Sequence, residues 1–228
     1  MAANPAAHDQ DPAQVRTARM PRSARRKQLL LAAREVFVAQ GYHAAAMDDI
    51  AERAGVSKPV LYQHFPGKLD LYLALLETHA SELLQRIRDA MADTTDNAVR
   101  VHNAVSAYFD YVDSEGEAFR LVFETDLRNE PSVRGLVDVM SSQINDAITD
   151  TIAADTGLTR ERARLLSVGL TGMSEITARW WLDNDRLLPK TEAVHLVESL
   201  AWRGISNFPL VEHVTGPDLP ARGSGGTG

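Results

Sequence analysis

The seven residues Lys58-Pro59-Val60-Leu61-Tyr62-Gln63-His64 combine side chains that can read DNA. Lys58 and Gln63 can hydrogen-bond base edges, Pro59 and Tyr62 offer apolar surface to a thymine methyl, and Tyr62 and His64 can donate to backbone phosphates. These groups act together only if one short helix presents them on its outer face. Leu61 and Phe65, four residues apart, supply the inner face of such a helix. Ser57 suits its N-cap, with the hydroxyl oxygen expected to accept from the amide of Val60. Pro59 gives up an amide that the first turn would leave orphaned.

A second helix must hold this one in place, and the stretch from Met47 to Ala54 has the composition for it. Ile50 and Ala51 put a large and a small apolar residue on one face, so that the two helices can approach closely. Gly55 stands where the chain must turn with a positive φ, and Val56 follows to pack into the corner. Met47 to Phe65 therefore reads as a helix-turn-helix. The DNA-facing set extends to Ala46, Met47 and Ser57 at the helix starts and to the basic run Arg25, Arg26 and Lys27 upstream.

Gly41-Tyr42 after an apolar helix, then Ile50-Ala51, Gly55-Val56-Ser57, Leu61-Tyr62, His64-Phe65 and Lys68, resemble the N-terminal pattern of the TetR family of transcriptional regulators over residues 25–75. The resemblance implies that Lys58 to His64 form the recognition helix, with Tyr62 and His64 at the DNA backbone. Lys68, at the start of the next helix, would grip a phosphate with help from the helix dipole. Ala46 and Val60 stand where hydroxyl residues are common in that family, so two phosphate contacts are expected to be missing. Asp48 or Asp49 would stabilise the first helix start instead. The resemblance further implies a helical body whose middle helices line a ligand cavity and whose last two pair with a second subunit. Such a protein would be a ligand-responsive repressor, binding a palindromic double-stranded DNA operator as a homodimer and released by a small molecule.

Apolar residues at three- and four-residue spacing continue through nearly the whole chain and predict an all-α fold. Helices are expected over 22–40, 47–54, 58–63, 68–91, 97–114, 117–127, 131–155, 159–183 and 191–205, with Gly41 stopping the first. The organisation expected is a flexible basic arm over 1–21, the helix-turn-helix domain over 22–67, a ligand-binding and dimerisation domain over 68–212 and a flexible tail over 213–228. Aromatic and methionine side chains in the body, Tyr108, Phe109, Tyr111, Phe119, Phe123, Met140, Met173 and Trp180, are the pocket residues expected for an apolar or aromatic effector. Leu165, Val168, Gly169, Gly172 and Ile176, together with Val194, Val197, Leu200 and Ala201, are expected at a four-helix dimer interface.

Charge follows the same division. Residues 12–68 hold ten Lys or Arg against four acids, and residues 69–228 hold fourteen against twenty-five, within a net charge of −7. A basic quarter on an acidic body is the footprint of a segment that meets phosphates. The chain has no cysteine, which excludes disulfides, thiolate zinc sites and cysteine nucleophiles. The sequence offers no phosphate loop, no Ser/His/Asp grouping and no metal-ligand spacing among His79, His102 and His195. No catalytic residue, metal or cofactor is therefore expected, and no membrane span; a cytoplasmic protein is. The alternative reading is a helical interaction module whose helix-turn-helix does not bind DNA, and an enzyme on the helical body ranks third.

Overall fold

A computed structural model of the chain describes residues 20–116, 120 and 126–205. Its elements run α1 (Arg22–Ala44), α2 (Met47–Arg53), α3 (Lys58–His64), α4 (Lys68–Ala92) and α5 (Asn97–Ser114). A 3-10 turn (Asp126–Asn129) then precedes α6 (Pro131–Thr156), α7 (Arg160–Asp183) and α8 (Lys190–Ile205). The fold is all-α, and among the described residues there is no strand. The helix expected over 117–127 falls mainly outside the described residues, and its end, from Asp126, is the 3-10 turn. No helix among the described residues is long and apolar enough to cross a membrane.

The first run of α1 ends at Gly41, as expected. Gly41 takes φ 74° and ψ 165°, which breaks the helical geometry, and Tyr42 to Ala44 form one further turn beyond the kink. The kink turns Tyr42 back onto the body: its ring lies 5.0 Å from that of Tyr72 on α4, and Tyr72 meets Phe37 edge-on at 5.2 Å. Each such aromatic pair adds about 0.5–1.5 kcal/mol beyond the area it buries. This cluster locks α1 against α4.

The body is a bundle in which α4, α5, α6 and α7 pack around one another while α8 lies along α5. Pro131 opens α6, and Gly157 closes it in the left-handed region at φ 67°. Between α6 and α7, fully buried Thr149 and Ser167 share a hydrogen bond of 2.9 Å, and Arg164 reaches Asp146 at 2.5 Å. The indole of Trp181 donates to the Leu188 carbonyl at 2.8 Å and fixes the loop into α8. One apolar core runs from Leu29 on α1 to Val197 on α8.

Candidate nucleic-acid interface and effector cavity

Helices α2 and α3 cross over a small core made of Ile50, Ala51, Leu61 and Phe65, all at most 2% exposed. Gly55 takes φ 64°, as the turn requires. Its amide donates to the Glu52 carbonyl, and the amide of Val56 donates to Ala51. The start of α3 departs from expectation. Ser57 is exposed and makes no side-chain cap; its backbone carbonyl accepts from the amides of Val60 at 3.0 Å and Leu61 at 3.3 Å. Lys58, Pro59, Tyr62 and Gln63 are exposed, His64 and Val60 half-buried. Lys58 pairs with Asp48 at 2.5 Å across the two helices, so a phosphate would have to draw it from this carboxylate.

Two residues of the expected DNA-facing set are placed elsewhere. Met47 is buried in the core and packs rather than reads; Ala46, beside it, is exposed and caps α2 without a side-chain bond. Lys68 turns inward. Its ammonium donates to the carbonyls of Tyr42 at 2.8 Å, Ala45 at 2.9 Å and His43 at 3.2 Å, and it lies 4.5 Å from the centre of the Tyr42 ring. An ammonium has three donors, and all three are used on carbonyls exposed by the kink after Gly41. Lys68 is thus a clamp on the helix end, and the expected phosphate grip has no free donor.

The basic run at the start of α1 does come to the recognition helix. Partial burial, then the charges of Arg22, Arg26 and Arg25, hold the His64 imidazole below the ordinary histidine pKa, so His64 is a neutral donor near pH 7. Arg26 also lies over the Phe65 ring at 4.5 Å. Arg25 bonds Gln28, whose amide in turn donates to the Ala54 carbonyl at 2.8 Å. Lys27 is exposed on a neighbouring face, beside a groove shared with Glu35 and Arg53. The expected arm over 1–21 lies outside the described residues up to 19.

A cavity of about 170 Å³ opens inside the body between α4, α5, α6 and α7, with Trp202 of α8 at its edge. Its wall is mostly apolar, with Ile87 and Met91 from α4, Val101 and Val105 from α5, Ile148 from α6 and Leu170 from α7 among the contributors, and hydroxyl and charged side chains between them. Of the expected pocket residues the structure brings only Tyr108 to this wall. Phe109, Tyr111 and Met140 are buried in the packed core, Met173 rests against that core, and Trp180 is 52% exposed. Phe119 and Phe123 lie outside the described residues. Aromatic size selected core residues, because large rings fill space, whereas the cavity is a gap between smaller aliphatic ones. The cation on the wall, Arg100, is paired with Asp155 and also donates to Asn97 and the Thr94 carbonyl. A charged residue set between Val99 and Val101 was the available signal for this end of the cavity.

Residues 29–75 match the family described as bacterial regulatory proteins, tetR family, and residues 97–204 match the tetracyclin repressor-like C-terminal domain. The chain is 50% identical over 192 residues to the HTH-type transcriptional activator FasR of Mycolicibacterium smegmatis, covering 84% of this chain and 88% of that one. It belongs to the TetR family. Its fold is also that of a TetR-like regulator from Rhodococcus (TM-score 0.62, 25% identity, 83% of this chain and 100% of the other). FadR of Bacillus subtilis, solved in complex with stearoyl-CoA, shares the fold at a TM-score of 0.66 and 20% identity, over 77% of this chain and 96% of that one. The chain is thus a TetR-family helix-turn-helix transcriptional regulator.

In this TetR-family body the residues expected at a dimer seam divide in two. Leu165, Val168 and Ile176 on α7 and Leu200 on α8 are exposed, between 49% and 75%, and a Cβ added at Gly169 or Gly172 would meet nothing within 4 Å. Val194, Val197 and Ala201 are instead buried in their own chain, since that side of α8 faces α5. The outward side of α8 carries Leu196 and Leu200. An amphipathic pattern shows that a helix has an apolar side; α8 has two, and of its four expected seam residues only Leu200 lies on the outer one.

Proposed function

We propose that this protein is a cytoplasmic, homodimeric regulator that binds a palindromic operator through α3 and loses its hold when a long-chain acyl compound fills the cavity in the body. The observation that carries the effector class is the wall of that cavity: mostly aliphatic on four helices, with its charged pair already neutralised. Such a wall favours a flexible alkyl chain over a flat aromatic molecule. The stearoyl-CoA bound by the fold neighbour from Bacillus subtilis, a long acyl chain on a polar carrier, supports the same class here.

Helix α4 is the natural lever between the two sites. Lys68 at its start clamps the end of α1, while Ile87 and Met91 form part of the cavity wall nineteen and twenty-three residues on, roughly 28 and 34 Å along the axis. A ligand that wedges the cavity open tilts this helix and carries the helix-turn-helix, the proposed unit over 22–67, with it. Two recognition helices then lose the spacing of adjacent grooves. The exposed apolar residues of α7 and α8 support pairing of two bodies, since an apolar face of this extent is rarely left to water.

On the sign of regulation, the 50% identical relative is called an activator, and this favours activation over the repression expected from the sequence. The test is selection of bound oligonucleotides by the purified protein, followed by titration with acyl thioesters of increasing chain length. Each added methylene should tighten release about fourfold, from about 0.8 kcal/mol of burial, until the cavity is full. Release that does not depend on chain length refutes the acyl effector; no selected palindrome refutes the regulator of this form.

A further inference from the structure

Six hydroxyl side chains in the body share one outlet, and Ser106, Ser114, Ser142 and Ser167 find partners on nearby carboxylates or on the carbonyl three residues earlier. Thr78, Thr149, Thr151, Thr156, Ser174 and Thr177 each donate to the carbonyl four residues earlier, at 2.6–3.2 Å. This is the usual outlet for a hydroxyl inside a helix. Thr171 departs from it. Its Oγ1 is buried with no hydrogen-bond partner among the described residues, the residue is 9% exposed, and it lines the cavity. A hydroxyl left unmet in an apolar wall is costly, and native proteins keep few of them.

We propose that Thr171 is the polar anchor of the effector cavity and donates from Oγ1 to a neutral carbonyl oxygen carried by the bound molecule. The inference rests on the acyl-chain reading above and adds to it the group that distinguishes one chain-bearing ligand from another. A carbonyl is the acceptor that an acyl compound brings to this depth. It is a neutral one, of an ester, thioester or amide, because a carboxylate buried beside Thr171 would need a cation. Arg100, the cation of the wall, is committed to Asp155. The neighbours of Thr171 on the wall, Leu170 and Ser174, cannot supply one either, and the Ser174 hydroxyl is itself spent on the Leu170 carbonyl at 3.0 Å. The bond has a second consequence. It ties the ligand to α7, the helix that carries exposed Leu165, Val168 and Ile176, so ligand position and the outer face of the body are read by one rigid element.

The test pairs a ligand change with a protein change. Dodecanoyl N-acetylcysteamine thioester and the dodecyl thioether that lacks its carbonyl oxygen are titrated by calorimetry into wild type, Thr171→Val and Thr171→Ser. Wild type and Thr171→Ser should prefer the thioester about five- to tenfold, the worth of one net hydrogen bond, and Thr171→Val should bind both equally. Thr171→Val should also melt no lower than wild type without ligand, because it removes an unmet polar group. Should it fail to fold, Thr171→Ala serves as the hydroxyl-free variant with the same expected loss of preference. A hydroxyl-free variant that keeps the wild-type preference overturns the anchor while leaving the acyl cavity standing. Wild type that binds neither compound overturns both.

Discussion

Replacing Lys68 by Met keeps the length and apolar stem of the side chain and removes only its ammonium. Three charge-assisted hydrogen bonds and one cation–π contact go with it. A charged hydrogen bond contributes about 1.5–3 kcal/mol where water is excluded, but Lys68 is only half-buried and water can reach the carbonyls it leaves. Discounting for that access, the loss comes to about 2 kcal/mol. For a chain of this size each kcal/mol lowers Tm by about 2–4 °C, so the variant should melt roughly 4–8 °C below wild type. The assay is a thermal melt by circular dichroism, run beside DNA-binding isotherms at several salt concentrations. A clamp on the α1 end predicts the lower Tm with the salt slope of binding unchanged. A phosphate contact predicts the reverse: an unchanged Tm and a slope shallower by about 0.9. The second pattern would refute the structural role assigned to Lys68.

Tyr62→Ala removes a ring that is 47% exposed and is not part of the core cluster, so operator affinity should fall about tenfold in a gel-shift titration while Tm stays within a degree or two. Gly55→Ala places its Cβ in open space, yet holds alanine at φ 64°; the cost is conformational alone, about 1–2 kcal/mol in a denaturant titration, with no change in the fold by circular dichroism. Ile148→Trp fills the cavity from α6 and should abolish release by acyl compounds while DNA binding persists in their absence; retained release would place the effector elsewhere. Because the folded state holds His64 below its ordinary pKa, the unfolded chain takes up the proton first. Stability is therefore full above the ordinary histidine range and declines as pH falls through it, and His64→Gln should flatten that decline in melts across pH.

The all-α class, the helix-turn-helix and the helix boundaries were legible along the chain because they are set locally. Leu61 and Phe65 four apart, Gly55 at the turn and Pro59 in a first turn each act within a few residues of themselves, and the structure repeats them. Only tertiary packing decided which groups remain free for chemistry. Lys68 has the residue type of a phosphate contact, yet its three donors go to carbonyls more than twenty residues away that the kink after Gly41 exposes. Val194, Val197 and Ala201 form an apolar row that the sequence cannot orient, and packing against α5 turned it inward. The cavity in the body left little trace in the pattern beyond Tyr108 and the charge of Arg100 between two valines. A cavity is where side chains fall short of one another across four helices, and a single chain of letters records what each residue is, not what its neighbours fail to fill.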